Sequence, residues 1–314
     1  MDLIGDNMKK ILIASILMIL IPALIVTIFE RKNNLLFKFK KNSDIRIKQT
    51  NGEIIKVPFE EYIVGVISAE MGPNFEPEAL KAQAVAARSY ALTRMKTNMK
   101  EEYDVVDTVT NQVYLNENSL KEKWKDKYEE YLNKIKKVVN ETSYEYLEYK
   151  GDIVEALFFS TSTGKTENVE EVFSEKKEYL RSVDSSFDSE VSPVFEDFVE
   201  LSKQDFFSKL GLPYNNVLNV SVKEQTSTGR IKQIDINGNV FKGTDVTSRI
   251  MLRSNYFTII DKGENVRINT KGFGHGVGMS QYGAEALAKK GYSYDKILKH
   301  YYTGVEIKKL KKNV

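Results

Sequence analysis

Residues 11–29 read ILIASILMILIPALIVTIF, an uncharged apolar run close to the roughly 20 residues that an α-helix needs to cross a bilayer. No other feature constrains the chain as strongly, because so long an apolar stretch has no stable exposed state in water. Lys9 and Lys10 precede it, and Glu30, Arg31 and Lys32 follow. A cleaved signal peptide has a shorter apolar region and a small-residue cleavage site, so the run reads as an uncleaved anchor, with Pro22 tolerable in mid-span. Lys38, Lys40 and Lys41 make the C-terminal flank the more basic one, which by itself would leave the following chain in the cytoplasm. Charge alone therefore leaves the orientation open. Residues 30–43 read as a polar linker and residues 44–310 as the body.

A chain of 314 residues with 41% hydrophobic content can bury a sizeable core. A net charge of +2 gives no general reason to expect nucleic acid, and the basic runs at 121–137 and 308–312 read as solvated helix faces or a tail. The absence of cysteine excludes disulfides and thiolate metal sites but leaves the compartment open. The two histidines, His275 and His300, are not spaced as a zinc-binding helix pair, so no metal or other cofactor is expected.

Along the body, IRIKQTNGEIIKVP alternates around Asn51-Gly52 as a hairpin does. Pro58 opens a short helix through FEEYIVGVISAE with Tyr62, Val66 and Ala69 on one face, and Gly72-Pro73 ends it. A long alanine-rich helix is predicted from Pro77 to about Lys96. A further helix, capped by Ser119, would point Trp124, Tyr128, Leu132, Ile135 and Val139 at the core. Two strands joined at Lys150-Gly151 follow, then a loop-rich stretch over 187–215 with one short helix near Gln204. A strand meander with turns at Thr228-Gly229 and Asn237-Gly238, a strand around Arg267 and two C-terminal helices complete an irregular order, which argues for an α+β fold.

Three segments are candidates for chemistry. FFSTSTGKTE ends in Gly164-Lys165-Thr166 like a phosphate-binding loop, but that loop needs a glycine where Phe159 stands, and no nucleotide site is expected. In SAEMGPNF, Glu70 ends an apolar helix among Ala69, Met71 and Phe75, where desolvation would raise its pKa toward that of a general acid. Spacing alone equally allows an exposed glutamate at a helix end. Arg88, among alanines, needs a partner, either a structural carboxylate or a substrate oxygen. In KGFGHGVGMSQYG, alternate glycines bare one side of the chain around His275, which is either a structural histidine or a site residue. The same segment lacks the dinucleotide register and misses the serine-hydrolase elbow by one residue.

The blocks VPFEEYIVGVISAEMGPNFEPEALKAQAVAARSYAL and GFGHGVGMSQYGAEALAKKGYSYDKILKHYYTG resemble the stage II sporulation protein D family of membrane-anchored lytic transglycosylases, over about residues 45–307. The resemblance implies a body with a glycan-binding cleft, held outside the cytoplasm by one transmembrane helix, between mother cell and forespore. It implies cleavage of the MurNAc-GlcNAc β-1,4 bond to a 1,6-anhydro end during engulfment, with Glu70 as the catalytic acid. Arg88 would belong to the same cleft, Thr166 would line the sugar site, and Tyr179 with Arg181, where lysine is expected, would complete it. Ser160, Thr161, His275 and Gln281 are expected to contact substrate from the matching blocks. Some family members carry zinc on cysteine and histidine, a donor set this cysteine-free chain lacks. The implied partners are peptidoglycan glycan strands, the membrane, and the stage II sporulation proteins P and M. Two other readings remain: a wall-binding or amidase-enhancing module without catalysis, and a hydrolase using a second carboxylate such as Asp184 or Asp188.

Overall fold

The computed structural model describes residues 43–108 and 110–310, together with Met18 and Pro22. Apart from those two residues, the expected anchor at 11–29 lies outside the described residues, as does almost all of the linker; among the described residues no helix is long and apolar enough to cross a membrane. Asp44–Lys311 form one compact unit of mixed helix and strand.

Strands β1 (Asp44–Lys48) and β2 (Ile54–Pro58) pair antiparallel around the turn at Gly52, whose φ is +88°, and turn Ile45 and Ile47 fully inward. Helix α1 (Phe59–Glu70) starts directly after Pro58, with Glu60 and Glu61 in the first turn, where the helix dipole favours them. Its buried face carries Tyr62, Ile63, Val66 and Ile67. Helix α2 (Pro77–Thr97) is the axis of the body, and Ala79, Ala82, Ala84, Ala86, Ala87 and Ala91 are wholly buried along it. Their small side chains let neighbours pack close to the helix backbone from several sides.

Beyond β3 (Val105–Val106) the expected single helix is two. Helix α3 (Glu117–Trp124) is capped by Asn116, not Ser119, and the amide of Ser119 donates to the Asn116 side chain at 3.0 Å. A left-handed Lys125 (φ 50°) and a 3-10 turn separate it from α4 (Tyr128–Glu141). The break does not disturb the apolar stripe, since Trp124, Tyr128, Leu132, Ile135 and Val139 are all buried.

Strands β4 (Glu145–Tyr149) and β5 (Asp152–Ile153) meet at Lys150-Gly151, both with positive φ, as a two-residue hairpin turn requires. Strand β6 (Phe158–Phe159) and two single-turn helices, α5 (Val169–Val172) and α6 (Asp188–Val191), follow. The 187–215 stretch also holds a full strand, β7 (Glu196–Ser202), ahead of α7 (Lys203–Leu210). Its sequence, EDFVELS, is acidic and only half-buried, which hid the strand from a reading based on apolar alternation. Strands β8 (Val220–Gln225), β9 (Ile231–Ile236) and β10 (Asn239–Lys242) form the expected meander, followed by α8 (Gly243–Ile250). Strands β11 (Phe257–Lys262) and β12 (Asn265–Lys271) join β7 in a second sheet. Phe206, Phe207, Ile234, Val246 and Ile268 pack these elements around a core of their own.

The chain then returns to the α2 layer. Strand β13 (Met279–Ser280) pairs parallel with β6, and α9 (Gln281–Lys289), α10 (Tyr294–Tyr301) and β14 (Glu306–Lys309) close the body. The alternating glycines before β13 are structural. All four have positive φ, and a Cβ on Gly278 would stand 1.9 Å from the carbonyl oxygen of Leu157.

Candidate active site

Glu70, the last residue of α1, lines a groove of about 850 Å³. Tyr90 and Arg94 reach the groove from α2, Asn111 from the loop after β3, and Glu155, Phe158, Phe159 and Ser160 from the β6 region. Phe173 and Lys177, then Phe273 and His275 from the glycine run, and Gln281 at the start of α9, complete the wall. Aromatic faces beside polar groups make a surface suited to an elongated ligand with both apolar ring faces and hydroxyls.

Glu70 is held from two sides. Its Oε1 accepts the backbone N–H of Val113 at 2.9 Å, and Nε2 of Gln281 stands 3.5 Å from Oε2. Burial pushes its pKa above the ordinary carboxyl value, and the Val113 and Gln281 contacts offset only part of that rise. The result is a carboxyl that keeps its proton to higher pH than an exposed glutamate, with one oxygen anchored.

The Val113 amide is placed by packing on α1. A Cβ on Gly65 would lie 2.4 Å from the ring of Tyr114 and 2.7 Å from the carbonyl of Leu115, so only glycine lets this loop lie against the helix. Tyr114 stacks on Tyr62 with ring centroids 5.6 Å apart, and the Tyr62 hydroxyl donates to Gln112 at 3.0 Å. Gly65→Ala is expected to destabilise the fold by about 1–3 kcal/mol through overpacking. It should also free Glu70 from Val113 and move the alkaline limb of any Glu70-dependent activity to higher pH, because that hydrogen bond lowers the Glu70 pKa. Thermal melting and a pH–rate profile check both effects.

A second polar chain runs along the wall. Nδ2 of Asn111 and Nε of Arg94 donate to the Tyr90 hydroxyl at 2.8 and 3.1 Å. Nη2 of Arg94 donates to Glu155 Oε1 at 3.0 Å, and Lys177 Nζ donates to Glu155 Oε2 at 2.6 Å. Both oxygens of Glu155 are thus held by cations. His275 packs between the rings of Phe159 and Phe173, each 5.6 Å away, and its Nδ1 accepts the Val277 amide at 3.0 Å. Burial, then the nearby Arg230 charge, pushes its pKa down to about 4, so the ring is neutral near pH 7 and serves as a fixed wall.

Of the residues expected in the site, Glu70, Ser160, His275 and Gln281 line the groove, and five others do not. Arg88 is fully buried and forms a two-pronged pair with Glu60, at 2.9 Å from Nε to Oε1 and 2.8 Å from Nη2 to Oε2. It also donates to the carbonyl of Glu145 at 2.9 Å, which ties α1, α2 and β4 together. Its partner is the structural carboxylate, and with no exposed surface it does not reach the groove. Thr161 is buried against Ser192 at 2.8 Å. Thr166 is buried, accepts the Val183 amide at 2.9 Å, and so braces the chain behind the wall. Tyr179 supports Glu155, accepting its amide at 3.3 Å, and Arg181 forms a two-pronged pair with Glu170. The 160–166 segment is instead held from beneath by Asp188, which accepts from the Ser162 amide at 2.7 Å, the Ser185 hydroxyl at 2.6 Å and the Ser280 hydroxyl. Asp188 is fully buried and Asp184 is exposed, and neither lines the groove.

A zinc held by cysteine and histidine does not fit this chain. There is no cysteine, His275 spends Nδ1 on a backbone amide, and no group of three potential ligands occurs among the described residues. A second hollow of about 440 Å³ lies on the β7–β12–β11 sheet, but its Lys271 is already paired with Glu196, and its Asp197 with Arg253.

The groove of this α+β body thus presents one desolvated, anchored carboxyl among aromatic and polar walls. A family described as "Stage II sporulation protein" matches residues 48–149, and one described as "Domain of unknown function (DUF8618)" matches residues 118–278. The stage II sporulation protein D of Bacillus subtilis (strain 168) is 38% identical over 265 residues, covering 83% of this chain and 77% of that protein. The protein of the same name from Bacillus amyloliquefaciens is 40% identical over 265 residues, with the same coverage of 83% and 77%. An amidase enhancer of Bacillus subtilis (strain 168) is 29% identical over 301 residues, covering 77% of this chain and 40% of that protein. The chain belongs to the stage II sporulation protein D family.

Proposed function

We propose that this protein is a peptidoglycan lytic transglycosylase acting in sporulation, with Glu70 as both acid and base. The observation that carries the reading is the half-buried Glu70 carboxyl in the groove, its pKa raised by burial and its Oε1 held by Val113. Protonated Glu70 donates to the glycosidic oxygen, the bond to the muramic acid C1 breaks, and positive charge develops on C1 and the ring oxygen. The resulting carboxylate takes the proton of the C6 hydroxyl as that oxygen bonds to C1. This closes the 1,6-anhydro ring and restores the acid, so no water is consumed.

Hydrolysis would need a second carboxylate free to activate water. Glu155 lines the groove, but it would have to release both Arg94 and Lys177 to do so. One mobile proton on Glu70 is the simpler fit. The same reading puts the body outside the cytoplasm, anchored by residues 11–29, on the glycan strands it cleaves.

Digestion of peptide-free glycan followed by mass spectrometry tests the proposal. The expected products end one water lighter than hydrolytic reducing ends. Binding without release would instead support a non-catalytic clamp, and reducing ends a hydrolase. The pH dependence is also set by Glu70. The acid form is the active one, so kcat/KM is expected to fall as pH rises through the raised Glu70 pKa, above the ordinary value of 4.5.

A further inference from the structure

The hydrogen-bond valence of Tyr90 leaves something over. Its phenol oxygen accepts from two groups that can only donate there, the Nε of Arg94 at 3.1 Å and the Nδ2 of Asn111 at 2.8 Å. The amide orientation of Asn111 is fixed independently, because its Oδ1 accepts the Val106 amide at 2.9 Å. With both lone pairs occupied, the hydroxyl can act only as a donor, and no acceptor for its proton occurs among the described residues. Tyr90, Arg94 and Asn111 all line the groove, and Tyr90 as a whole is only 3% exposed. An oriented O–H thus stands in the wall with nothing to receive it.

The groove's other groups narrow the acceptor. Arg94 and Lys177, the cations of the lining, are already paired with Glu155. Sugar hydroxyls both donate and accept, so many wall groups satisfy them. An acetamido carbonyl is neutral and accepts only, which matches a donor-only hydroxyl. Resting on the glycan reading of the groove, we infer that the Tyr90 hydroxyl donates to an acetamido carbonyl oxygen of the bound strand and so selects N-acetylated over de-N-acetylated sugar. Arg94 and Asn111 are positioning residues for that donor.

The test is a binding cycle in the Glu70→Gln protein, which separates affinity from turnover. Peptide-free glycan is compared with the same strands de-N-acetylated and with strands re-acetylated afterwards. Tyr90→Phe is expected to weaken binding of the acetylated strands roughly three- to tenfold, the worth of one hydrogen bond, and to leave the de-N-acetylated strands unaffected. Re-acetylation should restore the difference. An equal loss on both glycans, as a merely loosened wall would give, overturns the assignment, and so does no loss on either. Should Tyr90→Phe not fold, Asn111→Asp turns a donor into an acceptor that captures the phenol proton, and the same outcome is expected. The cycle reads binding alone, so it stands or falls separately from whether the wild-type protein releases anhydro ends.

Discussion

Glu70→Gln is expected to lower the rate of anhydro-end release by about two to four orders of magnitude, the usual contribution of a positioned acid–base group. The amide keeps the shape of the side chain and can still accept the Val113 N–H, but it cannot give up and recover a proton at that oxygen. The fold should gain rather than lose stability. A carboxyl whose pKa is raised in the folded state contributes stability that is fully present below its unfolded value and is lost as pH rises through the folded one. Above that window the wild-type protein carries a poorly solvated anion, and the glutamine variant does not. The melting temperatures of the two should therefore converge in acid and separate toward neutral pH, with the variant higher. A variant that is both inactive and less stable at neutral pH would mean that Glu70 is a structural residue.

Arg88→Ala is expected to destabilise by about 3–5 kcal/mol, the cost of breaking a buried pair by removing one partner. Glu60 retains 22% side-chain exposure, so water can relieve part of its isolation and the lower figure is the better guide. For a body of this size that is roughly a 5–10 °C fall in melting temperature. Activity would fall with it, and a single-variant assay would read as loss of a substrate contact. The double variant Glu60→Leu with Arg88→Met separates the explanations, because replacing both charges with apolar groups of similar volume is often neutral. Recovery of melting temperature and glycan cleavage without an arginine at 88 is the expected result. A stable double variant that remains inactive would return Arg88 to the substrate site.

The failure to place Arg88 from sequence is a matter of helix geometry. At about 3.6 residues per turn, Arg88 and Tyr90 lie roughly 200° apart around α2, whereas Tyr90 and Arg94, four apart, share a face. Both Arg88 and Tyr90 are flanked by alanine, and composition offered no way to tell which side met the groove. The Tyr90–Arg94 spacing was a usable signal, because two polar groups on an otherwise alanine-rich helix imply a common polar surface. Glu155 and Lys177 gave none, since they lie in irregular segments brought together only by tertiary pairing. Glu70 was legible because an apolar helix ending in an acid before Gly72-Pro73 has little choice but to half-bury it. The glycine run was legible for a similar reason, as alternate bare positions imply a close backbone approach, here that of Leu157. Thr166 and Asp188 illustrate the remaining gap. A hydroxyl or carboxylate that braces a loop looks the same in sequence as one that faces the ligand.

The most direct test of Glu70 as sole proton carrier is digestion of peptide-free glycan in heavy-oxygen water, followed by mass analysis of the new ends. The expected result is 1,6-anhydro ends without label from the wild-type protein and almost none from Glu70→Gln. Reducing ends carrying the heavy oxygen would contradict it, as would undiminished release by the variant.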